Sequence, residues 1–157
     1  MGIFGKKEIN KIDLKHIEKK GYDLIKEVSF DDEYLVIKEK FNKKSPVIKL
    51  KLDRITELLE TTDTEIKTKS KSVLGRAMIG GVFLGPTGAV IGGLSGTKDK
   101  IKEEIKFLLI INYLDSNSEV QALIFEQLPG RLNLSKFVKS LKTKCKINEE
   151  VEREIYL

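Results

Sequence analysis

Residues 105–113 read I-K-F-L-L-I-I-N-Y, a nearly continuous apolar run that is rich in β-branched side chains. This length and composition are typical of a central β-strand. The polar stretch 115–118 predicts a turn, and residues 120–126 predict a second strand that pairs back as a hairpin. Pro129 and Gly130 then end the sheet region.

After this hairpin the sequence predicts an amphipathic helix. Its apolar residues follow helical spacing and lysines occupy the other faces. The predicted apolar stripe consists of Leu134, Phe137, Val138, Leu141 and Cys145. Because Cys145 lies on this stripe without a suitable His or Asn partner nearby, we expect a small buried side chain and not a nucleophile.

Upstream of residue 75, alternating apolar and polar residues predict further strands. These strands cover residues 22–30, 34–41, 46–52, 55–60 and a Thr-rich segment at 64–70. The acids of Asp31-Asp32-Glu33 are interpreted as a solvated turn between the first two strands. Residues 8–20 instead place Ile9, Ile12 and Ile17 on a loose helical stripe, and His16 among charged neighbours is expected to be solvated.

One segment differs from the rest of the chain in charge. The 21 residues 77–97 contain no ionisable group, and eight of the twelve glycines fall between Gly75 and Gly96. Small residues recur every four positions around a central G-P-T-G turn, which would let two helical backbones approach closely. The segment supplies the candidate site residues Ala77, Gly81, Gly85, Pro86, Gly88, Gly92 and Gly96, with Met78, Val82, Phe83, Val90, Ile91 and Leu94 on the opposite faces.

Three interpretations of this segment remain open. A straight helix of this length would rise about 31 Å and could just span a bilayer, but the central proline would break it. A helical hairpin has arms of about 15 Å, and the basic residues on both flanks, such as Arg76 and Lys98, suit a re-entrant hairpin. A buried hairpin or an oligomer contact is the third interpretation. The order Gly96-Thr97-Lys98 does not match a phosphate-binding P-loop.

Composition restricts the function classes. A single cysteine and a single histidine exclude a disulfide framework and a Cys- or His-rich metal site. No catalytic constellation or cofactor motif is present, so we expect a non-enzymatic protein without a cofactor.

The net charge of +5 comes mainly from lysines that are interspersed with acids, which disfavours nucleic-acid binding. The absence of a signal peptide predicts a cytoplasmic protein, and the composition suggests a bacterial or phage source.

The chain resembles bacterial pleckstrin-homology-like (PH/GRAM-like) domains in three phrases: I-K-L-K-L-D-R-I-T-E-L-L at 48–59, L-L-I-I-N-Y at 108–113, and A-L-I-F-E at 122–126 before the helix. Within that group, the K-S-V-L-G-R-A…G-G-V-F-L-G-P-T-G-A-V-I-G-G-L-S-G segment is similar to the glycine-zipper insertion of small bacterial and phage proteins.

This resemblance implies a mainly β fold: a seven-stranded, partly open barrel closed by a C-terminal amphipathic helix, with a Gly-rich helical hairpin between strands 5 and 6. The expected division is an N-terminal helix or arm at 1–20, a PH-like domain at 21–146 interrupted by the hairpin at 73–97, and a tail at 147–157.

The resemblance also implies a lipid or protein partner. Lipid-binding members of the wider group use basic residues in the first hairpin and the following strand. The analogous residues here are Lys38, Lys40, Lys43, Lys44, Lys49 and Lys51. The first hypothesis is therefore a module at the inner face of the membrane, anchored by the Gly-rich hairpin. The alternative is a soluble bacterial or phage interaction protein whose hairpin mediates oligomerisation or binds a host or defence protein.

Overall fold

The computed structural model describes residues 9–17, 24–69, 78–79, 82–83, 105–130 and 133–146, and the structural statements below concern these residues. The strands are β1 (Lys11–His16), β2 (Leu24–Phe30), β3 (Tyr34–Glu39), β4 (Ile48–Lys51), β5 (Ile55–Thr62), β6 (Met78–Ile79), β7 (Val82–Phe83), β8 (Phe107–Leu114) and β9 (Val120–Gln127). The helices are α1 (Asp63–Lys69), α2 (Leu134–Cys145) and a 3₁₀ turn at Leu52–Arg54.

Seven strands form one antiparallel sheet in the order β4-β3-β2-β1-β9-β8-β5. The last three residues of β1 pair with β9 and so join the two halves of the sheet, for example through His16 opposite Phe125. The edge strands β4 and β5 do not pair with each other, so the sheet is not closed. A mainly β protein with a C-terminal helix agrees with the fold class that the resemblance implies.

The number of strands in the main sheet agrees with the prediction, but one of the seven is formed by a different segment of the chain. Six predicted strands are confirmed as β2, β3, β4, β5, β8 and β9. The helical interpretation of residues 8–20 is wrong at 11–16, which form β1, and the predicted strand at 64–70 is wrong because residues 63–69 form α1. The division of the chain at residues 20 and 146 remains a prediction.

Both corrections have local physical causes. In β1, Ile12 and Leu14 point into the core, and Asp13 on the opposite face is buried beside the Lys40 ammonium. At the start of α1, Thr62 Oγ1 accepts a hydrogen bond from the Glu65 backbone N–H (3.1 Å), which satisfies an unpaired donor of the first turn. Ile66 is then completely buried, so tertiary packing outweighs the strand preference of the threonines.

The main core lies on one face of the sheet and receives residues from all seven strands. The helix α2 contributes Leu134, Phe137, Val138 and Leu141 to the same cluster, and Cys145 packs against it. The ring of Phe137 meets Phe30 edge to face, with 5.4 Å between their centroids. Because one short helix covers a cluster that all seven strands share, the sheet must curve around this core.

A second apolar cluster, here called the outer layer, lies on the opposite face of the β8 region. It consists of Ile17, Ile66, Leu108, Ile110 and Ile124. The alternate β8 residues, Leu109 and Ile111, belong to the main core. Strand β8 is therefore buried on both faces, which confirms residues 105–113 as a central strand and explains their continuous apolar character.

The antiparallel topology fixes where the connections leave the sheet. The β1–β2, β3–β4 and β8–β9 connections leave at one end of the ladder, and the β2–β3 turn leaves at the other. The long connection from β5 to β8 also leaves at that second end. At its base, Asp63 N–H donates to the Lys106 carbonyl (3.1 Å), and Lys106 N–H donates to Asp63 Oδ1 (3.0 Å).

Candidate functional site

The β3–β4 loop, residues 40–47, is shaped by hydrogen bonds within itself. Asn42 Oδ1 accepts from the Lys44 backbone N–H (3.1 Å), and the Asn42 carbonyl accepts from the Ser45 backbone N–H (3.2 Å). The side chain is therefore used in an Asx turn, which is the usual role of asparagine in such a loop. This turn gives the loop a defined shape and presents its remaining side chains to solvent.

A charged network supports the loop from the concave side of the sheet. The Lys26 ammonium is buried and lies 3.2 Å from Glu39 Oε1, and the Ser45 hydroxyl donates to Glu39 Oε2. The hydrogen bond from Ser45, and then that from Lys26, lower the pKa of Glu39 below its ordinary value. The carboxylate therefore ties the loop to β2 and β3.

Four exposed apolar residues lie in the β3–β4 loop or next to it in the sheet. Phe41 is 82% exposed, and the other members are between 41% and 47% exposed. In the β2–β3 pairing Lys26 lies opposite Glu39. The Lys40 N–H donates to the Ile25 carbonyl (3.1 Å), so the pairing continues by one residue beyond β3. The same register places Leu24 beside Phe41. We call Leu24, Phe41, Val47 and Ile48 the loop patch. Exposed apolar groups on a shaped loop are typical of a contact with a membrane or a protein.

The six predicted lysines fall into two groups. Lys38, Lys43 and Lys44 are exposed and form no ion pair with a described residue. The other three have local neighbours: Lys40 pairs with Asp13, Lys49 lies 5.8 Å from the centre of the Tyr34 ring, and Lys51 lines a cleft at the end of α2. Lys43 and Lys44 follow Phe41 in the loop after Asn42, so positive charge borders the loop patch.

The identification of β1 changes the position of the acidic turn. The first hairpin is β1–β2, and Asp31-Asp32-Glu33 is the tip of the second hairpin, at the opposite end of the ladder from the loop patch. Asp31 Oδ1 accepts backbone N–H bonds from Glu33 and Tyr34, both at 2.7 Å, and these bonds lower the pKa of Asp31. Asp31 thus stabilises a turn, and the part of the chain that the structure describes contains no cluster suited to a metal ion.

The Gly-rich segment is described only at β6 and β7. Met78 pairs with Phe83 and Ile79 with Val82 in an antiparallel ladder, so the helical interpretation is wrong at these four residues. Strand β7 lies next to β5, β8 and β9, and β8 and β9 carry three of the five outer-layer residues. The other predicted site residues of this segment lie outside the described residues: Arg76, Ala77, Gly81, Gly85, Pro86, Gly88, Val90, Ile91, Gly92, Leu94, Gly96 and Lys98.

A cleft of about 420 Å³ lies at the C-terminal end of α2. Its lining carries mixed charge: Asp32, Glu33, Lys51, Leu52, Asp53, Lys144, Cys145 and Lys146. Lys144 and Asp32 form an ion pair of 2.6 Å across it.

Burial raises the pKa of the Cys145 thiol to about 11, so the thiolate is disfavoured at neutral pH. This agrees with the prediction that Cys145 is a packed side chain.

His16 differs from the prediction of a solvated side chain. It is half-buried at the end of β1, and its ring lies 5.0 Å from that of Phe125. The pairing with β9 brings the two rings together, a contact that no local sequence pattern could reveal.

The loop patch was also not predicted from the sequence. The sequence predicts a strand that includes Phe41, at residues 34–41, but β3 ends at Glu39. The available signal was the order F-N-K-K-S at 41–45, an aromatic residue followed by turn-forming Asn and two lysines.

Among the described residues, no helix is long and apolar enough to cross a bilayer; α1 has 7 residues and α2 has 12.

Comparison with known families matches residues 15–127 to a model described as "Glycine zipper containing PH domain". These residues run from the end of β1 to the end of β9 and include the whole Gly-rich segment. A search among curated proteins gives no match.

Proposed function

This chain belongs to the family of PH domains that contain a glycine zipper, and we propose that it is a non-enzymatic, membrane-peripheral module. PH-like domains generally bind lipids or proteins, so a binding role follows from the family. The finer proposal is that the loop patch and the Gly-rich hairpin contact the inner face of the membrane.

The observation that carries this proposal is the composition of the β3–β4 loop. Phe41 is 82% exposed and is followed by two lysines that form no ion pair with a described residue. An exposed apolar group such as a phenyl ring can enter the boundary between headgroups and acyl chains. Each nearby lysine adds about 1 kcal/mol of attraction to an anionic leaflet. A solvated lysine face alone would not require an exposed phenyl ring in its midst.

The Gly-rich hairpin is the proposed anchor. Its 21 uncharged residues suit an apolar phase, and Arg76 and Lys98 would remain at the headgroup level. Because β7 lies against the sheet, the anchor would be held close to the domain. The insertion and the β3–β4 loop leave the ladder at opposite ends, so each contact needs a separate test.

Flotation with lipid vesicles provides this test. The full chain would be mixed with vesicles of phosphatidylcholine alone or with added phosphatidylserine. We expect flotation with the anionic vesicles and an apparent affinity about tenfold lower for Phe41→Ser, since burial of one phenyl group stabilises by roughly 1.5–3 kcal/mol. Val120→Ser is the control, because Val120 is also exposed (42%) but begins β9, three strands away from β3 in the sheet.

A second variant tests the anchor. Residues 84–97 would be replaced by a Gly/Ser linker of equal length, which retains α1, β6 and β7. Flotation that resists high salt in the full chain, but not in this variant, would support anchoring by the hairpin. If no form floats and only the full chain elutes as a discrete oligomer, the membrane proposal is wrong and the glycine zipper is a contact between protein chains.

A further inference from the structure

The outer edge of β4 carries backbone groups that are able to pair with another strand. Within the part of the chain that the structure describes, β4 is the last strand of the sheet and pairs with β3 alone. The Leu52 N–H donates to the Glu33 carbonyl (2.9 Å), so in the same register Leu50 is also bonded to β3. The backbone N–H and C=O groups of Lys49 and Lys51 therefore point away from the sheet.

The two faces of β4 differ in chemistry. Leu50 is buried in the main core, and Ile48, which is 47% exposed, lies on the same face. Lys49 and Lys51 lie on the other face, and both are exposed. A strand that pairs with this edge would place alternate side chains beside Ile48 and beside the lysines. The shape of the edge therefore suits an alternation of apolar and polar residues.

The charge of the lysine face determines which polar residues fit. Lys38 on β3 is the diagonal neighbour of Lys49, and neither forms an ion pair with a described residue. Lys51 lies nearer to acids, since it lines the same cleft as Glu33 and Asp53. A carboxylate opposite Lys49 therefore gains the most, because opposite charges on facing strands stabilise the pairing.

The same lysines disfavour pairing with a second copy of β4. In an antiparallel pair of two such strands centred on Leu50, Lys49 of each copy lies opposite Lys51 of the other. Like charges in this position destabilise the pairing, and lysines on an edge strand are a common protection against self-association. A strand that carries acids meets no such repulsion.

We propose that the β4 edge binds an extended segment of a partner protein in which acidic residues alternate with apolar ones. The segment lies antiparallel to β4, its backbone bonds to Lys49 and Lys51, and a carboxylate faces the Lys49 ammonium. An apolar side chain of the segment packs against Ile48. In strand addition of this kind, main-chain hydrogen bonds give affinity and alternate side chains give specificity.

A synthetic peptide of sequence E-V-E-V-E-V-E, capped at both ends, tests the proposal on the full chain in buffer without vesicles. At about ten times its dissociation constant, it should slow hydrogen exchange of the Lys49 and Lys51 amides by about tenfold. The Lys38 amide, which faces β2, is the internal reference and should be unchanged. The capped peptide E-E-E-E-V-V-V has the same composition without the alternation and should give no protection. Because no vesicle is present and the loop residues Phe41, Lys43 and Lys44 are unchanged, the result is independent of the proposed membrane function.

Variants at the edge separate charge from backbone pairing. Lys49→Glu/Lys51→Glu should lose the acidic peptide and bind K-V-K-V-K-V-K instead. Lys49→Ala removes one charge, whereas Lys49→Pro also removes an outward N–H and keeps the bonds of Leu50 to β3. The proline variant should bind the acidic peptide several-fold more weakly than the alanine variant. Unchanged exchange of the Leu50 amide would verify that β4 stays paired in both.

Several results would overturn the proposal. Absence of protection by the alternating peptide, or equal protection by the block peptide, would exclude recognition of an acidic strand. Equal affinity of Lys49→Pro and Lys49→Ala would exclude backbone pairing. Slow exchange of the Lys49 and Lys51 amides without peptide would show that the edge is already covered. A concentration-independent rate would then assign the cover to the same chain, and a rate that rises on dilution would assign it to a second copy.

Discussion

Lys26 and Glu39 oppose each other on β2 and β3, and their side chains meet at 3.2 Å directly behind the loop that carries Phe41. The same carboxylate accepts the hydroxyl hydrogen bond of Ser45. A single carboxylate therefore connects the register of two strands to the conformation of the exposed loop.

This arrangement predicts a pH dependence. The folded-state pKa of Glu39 is lowered, so its stabilisation is fully present above its ordinary value of 4.5 and is lost as the pH falls through the lower folded pKa. Thermal unfolding of wild type and Glu39→Gln across the acidic range measures this. The variant should have the lower Tm at neutral pH, and the difference should shrink as the pH falls below 4.5. A constant difference at all pH values would contradict the assignment.

The charges that border the loop patch predict salt-sensitive binding. Lys43→Glu/Lys44→Glu should weaken flotation with anionic vesicles by about tenfold or more, since each lysine contributes about 1 kcal/mol and each reversal adds repulsion. Lys136→Glu/Lys139→Glu makes the same charge change at exposed positions on α2 and serves as the control. Equal losses in both variants would indicate a response to net charge and not a contact at the loop.

The outer layer predicts a large packing contribution from α1. Ile66→Ala should lower the free energy of unfolding by about 2–5 kcal/mol, because the side chain is completely buried and leaves a cavity. Ile105→Ala removes the same atoms from a 59% exposed side chain and should cost less than about 1 kcal/mol. Chemical denaturation measures both, and similar values for the two variants would mean that α1 does not pack on the sheet.

Burial of Cys145 predicts slow reaction with thiol reagents. With a pKa of about 11, the thiolate is scarce at pH 8, and iodoacetamide should react with native protein at least tenfold more slowly than with free cysteine. The rate should rise as the pH increases towards that pKa. Denatured protein is the control, and a native rate equal to the denatured one would show that the thiol is not buried.

Six of the seven strands could be predicted from the sequence: β2 to β5 from alternating apolar and polar residues, β8 from its continuous apolar run, and β9 from the turn that precedes it. β1 could not, since the apolar spacing of Ile9, Ile12 and Ile17 also fits a helix. The contacts that favour the strand come from residues distant in sequence. Lys40 forms an ion pair with Asp13 on the sheet face opposite the main core, and Leu14 pairs with β9. Local periodicity contains neither contact.

The helix α1 had a local signal that the strand interpretation overlooked. The order Thr62-Asp63-Thr64-Glu65 fits the start of a capping box, and the structure shows its Thr62 to Glu65 bond. The loop patch is a different case, because exposure of Phe41 follows from where β3 ends. The family resemblance, in contrast, was carried by the Gly-rich segment and is confirmed by the match over residues 15–127.

The two-sided burial of β8 has a consequence for the covalent continuity of the chain. Seven paired positions between β5 and β8, the β1–β9 pairing and both apolar clusters all join the residues before the Gly-rich segment to the residues after it. A single cut between residues 84 and 97 would therefore leave two fragments that remain associated under native conditions. The same two pieces, expressed separately, should reconstitute the domain by complementation, with neither fragment folding alone.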